Sequence, residues 1–145
     1  MINDSFKVTG DVAIQIFDRY GNLKETREIK NLVVTVGKEF IASRMVNTPT
    51  AMSHMAIGSG TTAASAAQTT LVTELGRVTL GSSTATGVKV TYVANFPAGT
   101  GTGAVTEAGV FNAASAGTML CRTVFAVVNK GADDAMSITW EITVS

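Results

Sequence analysis

Residues 136–145, MSITWEITVS, alternate without a break. Met136, Ile138, Trp140, Ile142 and Val144 fall on one side, and Ser137, Thr139, Glu141, Thr143 and Ser145 on the other. Successive side chains of a β-strand point to opposite faces, so the segment reads as a strand with one dry and one wet face. Strands of that kind belong to an antiparallel sheet with one side on a core.

The same period runs through Val88, Val90, Tyr92, Ala94 and Phe96, and through Val12, Ile14 and Ile16. Along 119–128 it puts Met119, Cys121, Thr123, Phe125 and Val127 on one face, and Leu120, Arg122, Val124, Ala126 and Val128 on the other. DRYGN (18–22) supplies turn chemistry, and LKETREIK (23–30) reads as a polar return strand whose charges discourage edge pairing. Shorter strands are predicted over 53–60, from about Arg77 to Leu80, and over 105–112. TTAASAAQTT (61–70) and GSSTATG (81–87) read as loops, with a helical turn over 70–75. ASAG (114–117) reads as a hairpin turn and NKGADDA (129–135) as a turn-rich link.

One segment departs from period two. Val36, Phe40, Ile41 and Met45 recur at helical spacing in VGKEFIASRMV, with Thr35 or Asn31 placed to cap the start and Pro49 beyond the end. This predicts one helix near residues 36–46. Turn signals come about every 8 to 14 residues and leave links too short for parallel crossovers. The fold class expected is therefore mainly β: an antiparallel β-sandwich, jelly-roll-like, of about eight strands with one short helix.

The 145 residues suit one domain, 1–145, which buries roughly 70% of its unfolded surface and supports a core without metals or disulfides. Residues 1–10, MINDSFKVTG, read either as an N-terminal arm that adds a strand to a neighbour's sheet edge or as a frayed terminus. They have neither the basic start nor the apolar centre of a signal peptide, and no apolar run is long enough to span a membrane. Synthesis in a cytoplasm is expected.

Charged residues make up only 15%, and eleven acids balance eleven bases. A neutral, weakly charged surface is poorly protected from association. Thr, Ser, Ala and Gly lose little rotamer entropy against a neighbour, so the composition points to work in packed company. The bases are scattered, which argues against direct nucleic-acid binding, since phosphate binding needs a basic patch.

The chemistry-bearing residues are few. In PAGTGTGAVTEAGVFN (97–112), Gly99, Gly101 and Gly103 miss the third position of a dinucleotide fingerprint and lead into a strand, not a helix. No Lys lies between Lys89 and Lys130, so no P-loop is present. The stretch reads as a mobile joint between strands. Glu107 is a candidate acid or base, but its better reading is an anchor that accepts loop amides or pairs with Arg122 or Arg77. His54 and Cys121 are single and cannot build a closed N/S zinc site. Cys121 falls mid-strand on a core face, and no G-x-S-x-G elbow accompanies His54. Asp133 and Asp134 lack the ligand spacing of a calcium loop and read as a solvated turn. No catalytic, cofactor-binding or metal residue is assigned, and no cofactor is expected. A hydrolase acting on cell wall or polysaccharide would need opposed carboxylates, which the sequence does not bring together.

Four segments carry a family resemblance: KNLVVTVGKEFIASRM (30–45), SHMAIGSGTTAASAAQTTLVTELGRV (53–78), FPAGTGTGAVTEAGVFNAASAGTMLCRTVF (96–125) and NKGADDAMSITWEITVS (129–145). In their order they resemble small virion proteins of tailed double-stranded DNA bacteriophages, most nearly a capsid cement or decoration protein. TEAGVFN is also similar to segments of phage tail and fibre proteins. The resemblance implies a compact β fold without catalysis, a homodimer or homotrimer on the capsid surface, and the major capsid protein as partner. The alternative it leaves open is a tail, baseplate or fibre-associated module contacting a host receptor.

Overall fold

The structure is a computed structural model that describes residues 7–145. Residues 1–6, most of the expected arm, lie outside the described residues. Thr9 and Gly10 already belong to the first strand.

Among the described residues nine strands and one helix follow in order: β1 (Val8–Phe17), β2 (Leu23–Val33), α1 (Thr35–Ser43), β3 (His54–Gly58), β4 (Glu74–Thr79), β5 (Ser82–Thr86), β6 (Lys89–Phe96), β7 (Gly103–Phe111), β8 (Met119–Lys130) and β9 (Ala135–Val144). They form one antiparallel sheet in the order β4-β3-β7-β8-β2-β1-β9-β6-β5. The mainly-β expectation holds, but the architecture is a single sheet curled into a half-barrel, with nine strands where about eight were expected.

Two corners produce the curl. β4 and β5 are the outermost strands, yet only Leu80 and Gly81 separate them in sequence. Leu80 N–H donates to Ser53 O at 2.9 Å beside β3, and Gly81 N–H donates to Val93 O at 2.7 Å in β6. The chain thus steps from one end of the sheet to the other in two residues, as corner strands do where layers meet.

β2 makes the second corner. It pairs with β1 along most of its length but with β8 only at Leu32↔Arg122 and Val33↔Cys121. Past that point Arg27 spans the gap, donating from Nη1 to Ala126 O and from Nη2 to Val127 O, both at 3.1 Å. The charged strand expected to guard an edge is therefore interior to the sheet.

GSSTATG was expected as a loop and contains β5. All five residues of β5 are exposed, so burial imposes no pattern on them, and the strand is made by backbone pairing with β6. No helical turn occurs over 70–75, where β4 begins at Glu74.

β8 departs from simple alternation. Val105 pairs with Val128 and Glu107 with Val124, so four steps on β8 oppose two on β7. This bulge turns Val127 outward, 44% exposed, and brings Val128 into the core, reversing the expected faces at the end of the strand. It also turns out the two carbonyls that Arg27 uses.

The concave face carries the core. Val12, Ile14 and Ile16 meet Met55 and Ile57, Tyr92, Ala94 and Phe96, Val105 and Val110, and Met136, Ile138, Trp140 and Ile142. The period-two faces expected for 12–16, 90–96 and 136–142 are the buried ones.

The helix ends earlier than expected, at Ser43. Val34 stands at its N-cap without a side-chain hydrogen bond, so neither Thr35 nor Asn31 caps it. Phe40 and Ile41 pack on the core, while Met45 is 86% exposed beyond the last turn. Gly37 lets the helix backbone lie against β8: a Cβ there would collide with the carbonyl oxygen of Leu120.

Candidate functional site

β3, β7 and β8 are covered on both faces. On the convex side Val34, Ala56, Leu71, Phe111 and Met119 make a second, smaller core. The cover is the strap 59–73, which leaves β3 and returns into β4. It has no regular structure of its own, so its backbone groups need partners. Thr35 N–H donates to Ala66 O at 2.8 Å, and the rest of the fastening centres on Glu107.

Glu107 lies in β7 opposite Gly58, and its side chain has no exposed surface. Oε2 accepts N–H bonds from Gly60 at 2.6 Å and Thr73 at 2.8 Å, and Oε1 accepts from Val72 at 2.8 Å. One carboxylate therefore takes the amides at both ends of the strap. Arg122 on β8, also wholly buried, donates from Nε to Oε1 at 3.1 Å. Its Nη1 donates to Thr62 O at 3.0 Å and Gln68 Oε1 at 2.9 Å. Thr106 Oγ1 adds a bond to Gly60 O at 2.8 Å. Burial pushes the Glu107 carboxyl up, but the amides of Thr73, Val72 and Gly60 and the Arg122 guanidinium together hold it below the usual carboxylate value.

The anchor reading of Glu107 is the one the geometry supports, with Arg122 as partner. Arg77 does something else. Its guanidinium lies 3.8 Å over the Phe111 ring, donates to Ala113 O and Ala116 O at 3.0 and 2.9 Å, and pairs with Glu74. It fastens the 112–118 hairpin turn to β4.

The glycine stretch 97–102 forms a turn between β6 and β7. Thr100 N–H closes on Pro97 O at 3.1 Å, and Gly99, Gly101 and Gly103 all have positive φ. Gly101 is buried, and a Cβ on it would strike the Ile57 side chain.

A second buried charge was not visible in the sequence. Lys130, 1% exposed, donates from Nζ to Pro97 O at 2.9 Å and Asp134 O at 2.7 Å, and burial lowers its pKa. Asp134 accepts from Lys24 Nζ and Gly131 N–H, both at 2.8 Å; the Lys24 bond, then the Gly131 amide, hold its carboxyl low. Asp134 was expected in a solvated turn but is buried, and only Asp133 beside it is exposed.

His54 and Cys121 are not brought together. β7 lies between their strands. The His54 ring meets Ser53 Oγ at 2.8 Å and Thr79 Oγ1 at 3.4 Å. Cys121 has no exposed surface, and burial pushes its thiol far up, which disfavours the thiolate. Among the described residues no group of three or more His, Cys, Asp or Glu is placed to hold a metal.

Two cavities stand out among the described residues. One, about 420 Å³, is a polar concavity on the convex face between Asp11, Glu28, Lys30, Thr139 and Glu141. Lys30 pairs with Asp11 there, and Lys89 pairs with Glu141 at 2.6 Å. The other, about 210 Å³, is an apolar gap between α1 and β6 and β9, lined by Phe40, Ile41, Val90, Tyr92 and Ile142.

No protein-family model, curated protein or solved structure matches this chain.

Proposed function

We propose that this chain is a non-enzymatic structural protein of a tailed-phage virion, a cement protein that binds the major capsid protein lattice. The observation that carries this reading is the Glu107–Arg122 clamp. A buried carboxylate, the side chain best suited to chemistry, has its oxygens filled by three amides and a guanidinium that hold the chain to itself. Lys130 and Asp134 are spent in the same way. A protein that stabilises a shell must hold its shape while contacting many neighbours, and it works by binding the assembled lattice better than free subunits. Homodimers or homotrimers, made in the host cytoplasm and carried on the capsid surface, fit that role. In the same reading the two arms of the curled sheet, β4-β3-β7-β8 and β2-β1-β9-β6-β5, are the layers of a jelly-roll-like sandwich, and spin labels on inward positions of the two arms are expected to report the roughly 10 Å spacing of sheets packed face to face; a separation well beyond that would overturn it.

The test is depletion and add-back. Phage particles lacking the chain are expected to release DNA at lower temperature, and purified protein is expected to rebind them and restore resistance. Particles of unchanged stability that do not take up the protein would overturn the reading. A tail-side module is the alternative, favoured by the β1–β2 turn: Tyr20 is 73% exposed there with Arg19 stacked at 4.9 Å, an aromatic tip suited to a host receptor. Copy number separates the two, since hundreds per particle mean cement and a few dozen or fewer mean tail.

A further inference from the structure

The two outer strands of the sheet are treated differently. β4 is guarded by charge and by irregular pairing: Glu74 and Arg77 place charges along the strand, and its register with β3 shifts at a bulge between Ile57 and Gly58. β5, Ser82–Thr86, has β6 on one side and, among the described residues, no strand on the other. All of its residues are exposed. Edge strands are usually guarded by charge, proline, bulges or covering segments. Short length is the one such guard β5 has. Its sequence SSTAT, bounded by Gly81 and Gly87, carries no charge and no proline, and its pairing with β6 runs without a bulge.

We infer that β5 is a self-pairing edge, and that its occupant is β5 of a second copy, joined antiparallel about a two-fold axis through Thr84. The argument is the self-complementarity such an axis demands. Around a two-fold each residue of the interface meets its own kind or its mirror position. Here Thr84 faces Thr84, Ser83 faces Ala85 and Ser82 faces Thr86. A charge at the centre would meet its like, which is destabilising when directly opposed. β5 has none, and its hydroxyls suit the Thr–Thr and Thr–Ser cross-strand pairs that sheets favour. The nearest cation, Lys89 on β6, is already held by Glu141.

Five residues a side is far short of the roughly 20–30 of a stable interface. The contact is weak between two free copies and becomes strong only where many copies are held side by side. In that respect it rests on the lattice reading above, and it names the contact between copies within it.

Cysteine scanning tests the register. The native Cys121 is buried and does not compete. Directly opposed residues of an antiparallel pair have Cα atoms about 4.5–5.5 Å apart, within disulfide reach. Thr84→Cys is expected to form a disulfide dimer on mild oxidation of the concentrated protein. Ser82→Cys and Thr86→Cys alone are expected to cross-link at least tenfold more slowly, because each is displaced from its own copy by about 13 Å along the strand. A mixture of the two is expected to cross-link as the heterodimer. Thr84→Lys is expected to abolish concentration-dependent association in sedimentation, and mixing it with Thr84→Glu to restore it. Equal or absent cross-linking at all three positions, or a mixture no more associated than its parts, overturns the inference. So does Thr84→Cys cross-linking only to a larger subunit in particles. Self-pairing in solution by a protein that never binds particles leaves this contact standing and sinks the cement reading; the reverse result sinks only the self-pairing.

Discussion

Oε1 of Glu107 lies 3.1 Å from Nε of Arg122, and neither side chain has exposed surface. The pair joins β7 to β8 and, through Gly60, Val72 and Thr73, holds both ends of the strap 59–73 on the convex face. Replacing one partner leaves the other charged and buried. Glu107→Gln is expected to cost about 3–5 kcal/mol in urea unfolding and to open the strap to proteolysis. The double variant Glu107→Leu/Arg122→Leu is not expected to recover the loss, as an isolated pair often would, because the three amides stay unpaired. Recovery to within 1 kcal/mol of the native chain would mean that the amides find other partners.

The same clamp sets the acid limb of stability. Glu107 has a folded pKa below its ordinary 4.5. The unfolded chain therefore takes up the proton first, and stability falls with pH in that window. The contribution is complete above the unfolded value and is lost as pH falls through the lowered folded one. Melting temperatures recorded from pH 6 downward are expected to drop more steeply for the native chain than for Glu107→Gln. Parallel curves would contradict this.

The glycine turn gives a graded prediction. Gly99 and Gly101 both have positive φ, at 87° and 69°, but only Gly101 has a neighbour in the way, the Ile57 side chain. Gly99→Ala is expected to cost about 1–2 kcal/mol from backbone conformation alone. Gly101→Ala is expected to cost more, since the core must also shift. Thermal unfolding of the two variants reads the difference, and equal losses would mean that Ile57 moves freely.

The bulge in β8 reverses which valine matters. Val127→Ser, at an outward position, is expected to change stability by no more than about 0.5 kcal/mol. Val128→Ala is expected to cost roughly 2 kcal/mol, from two lost buried carbons and the cavity behind them. The opposite ranking in chemical denaturation would restore the simple alternation.

Burial pushes the Tyr92 hydroxyl up to about 12. The unfolded chain ionises first as pH passes 10, so stability falls between pH 10 and about 12. An ultraviolet titration is expected to show one tyrosine ionising near the upper value while the fold persists. Tyr92→Phe is expected to flatten the alkaline limb.

Much of the sheet was legible because half-buried strands print their burial on the sequence. Val12 to Ile16, Tyr92 to Phe96 and Met136 to Ile142 each show one dry face, and each is a buried face. Glu107 was legible as an anchor because a lone carboxylate among Val, Ala and Gly must find donors. Which donors was not legible: the amides come from residues 34 to 47 positions away in the chain.

By itself the sequence determined an antiparallel β protein with a single short helix and a named apolar face on most strands, because the pleat repeats every two residues and burial selects for it. Only the tertiary structure decided that the strands form one curled sheet, that SSTAT is an edge and Val128 an inward residue, and that Lys130 and Asp134 are interior. Those outcomes depend on corners, bulges and partners distant in the chain, whose hydrogen bonds are made by backbone groups that every residue carries alike.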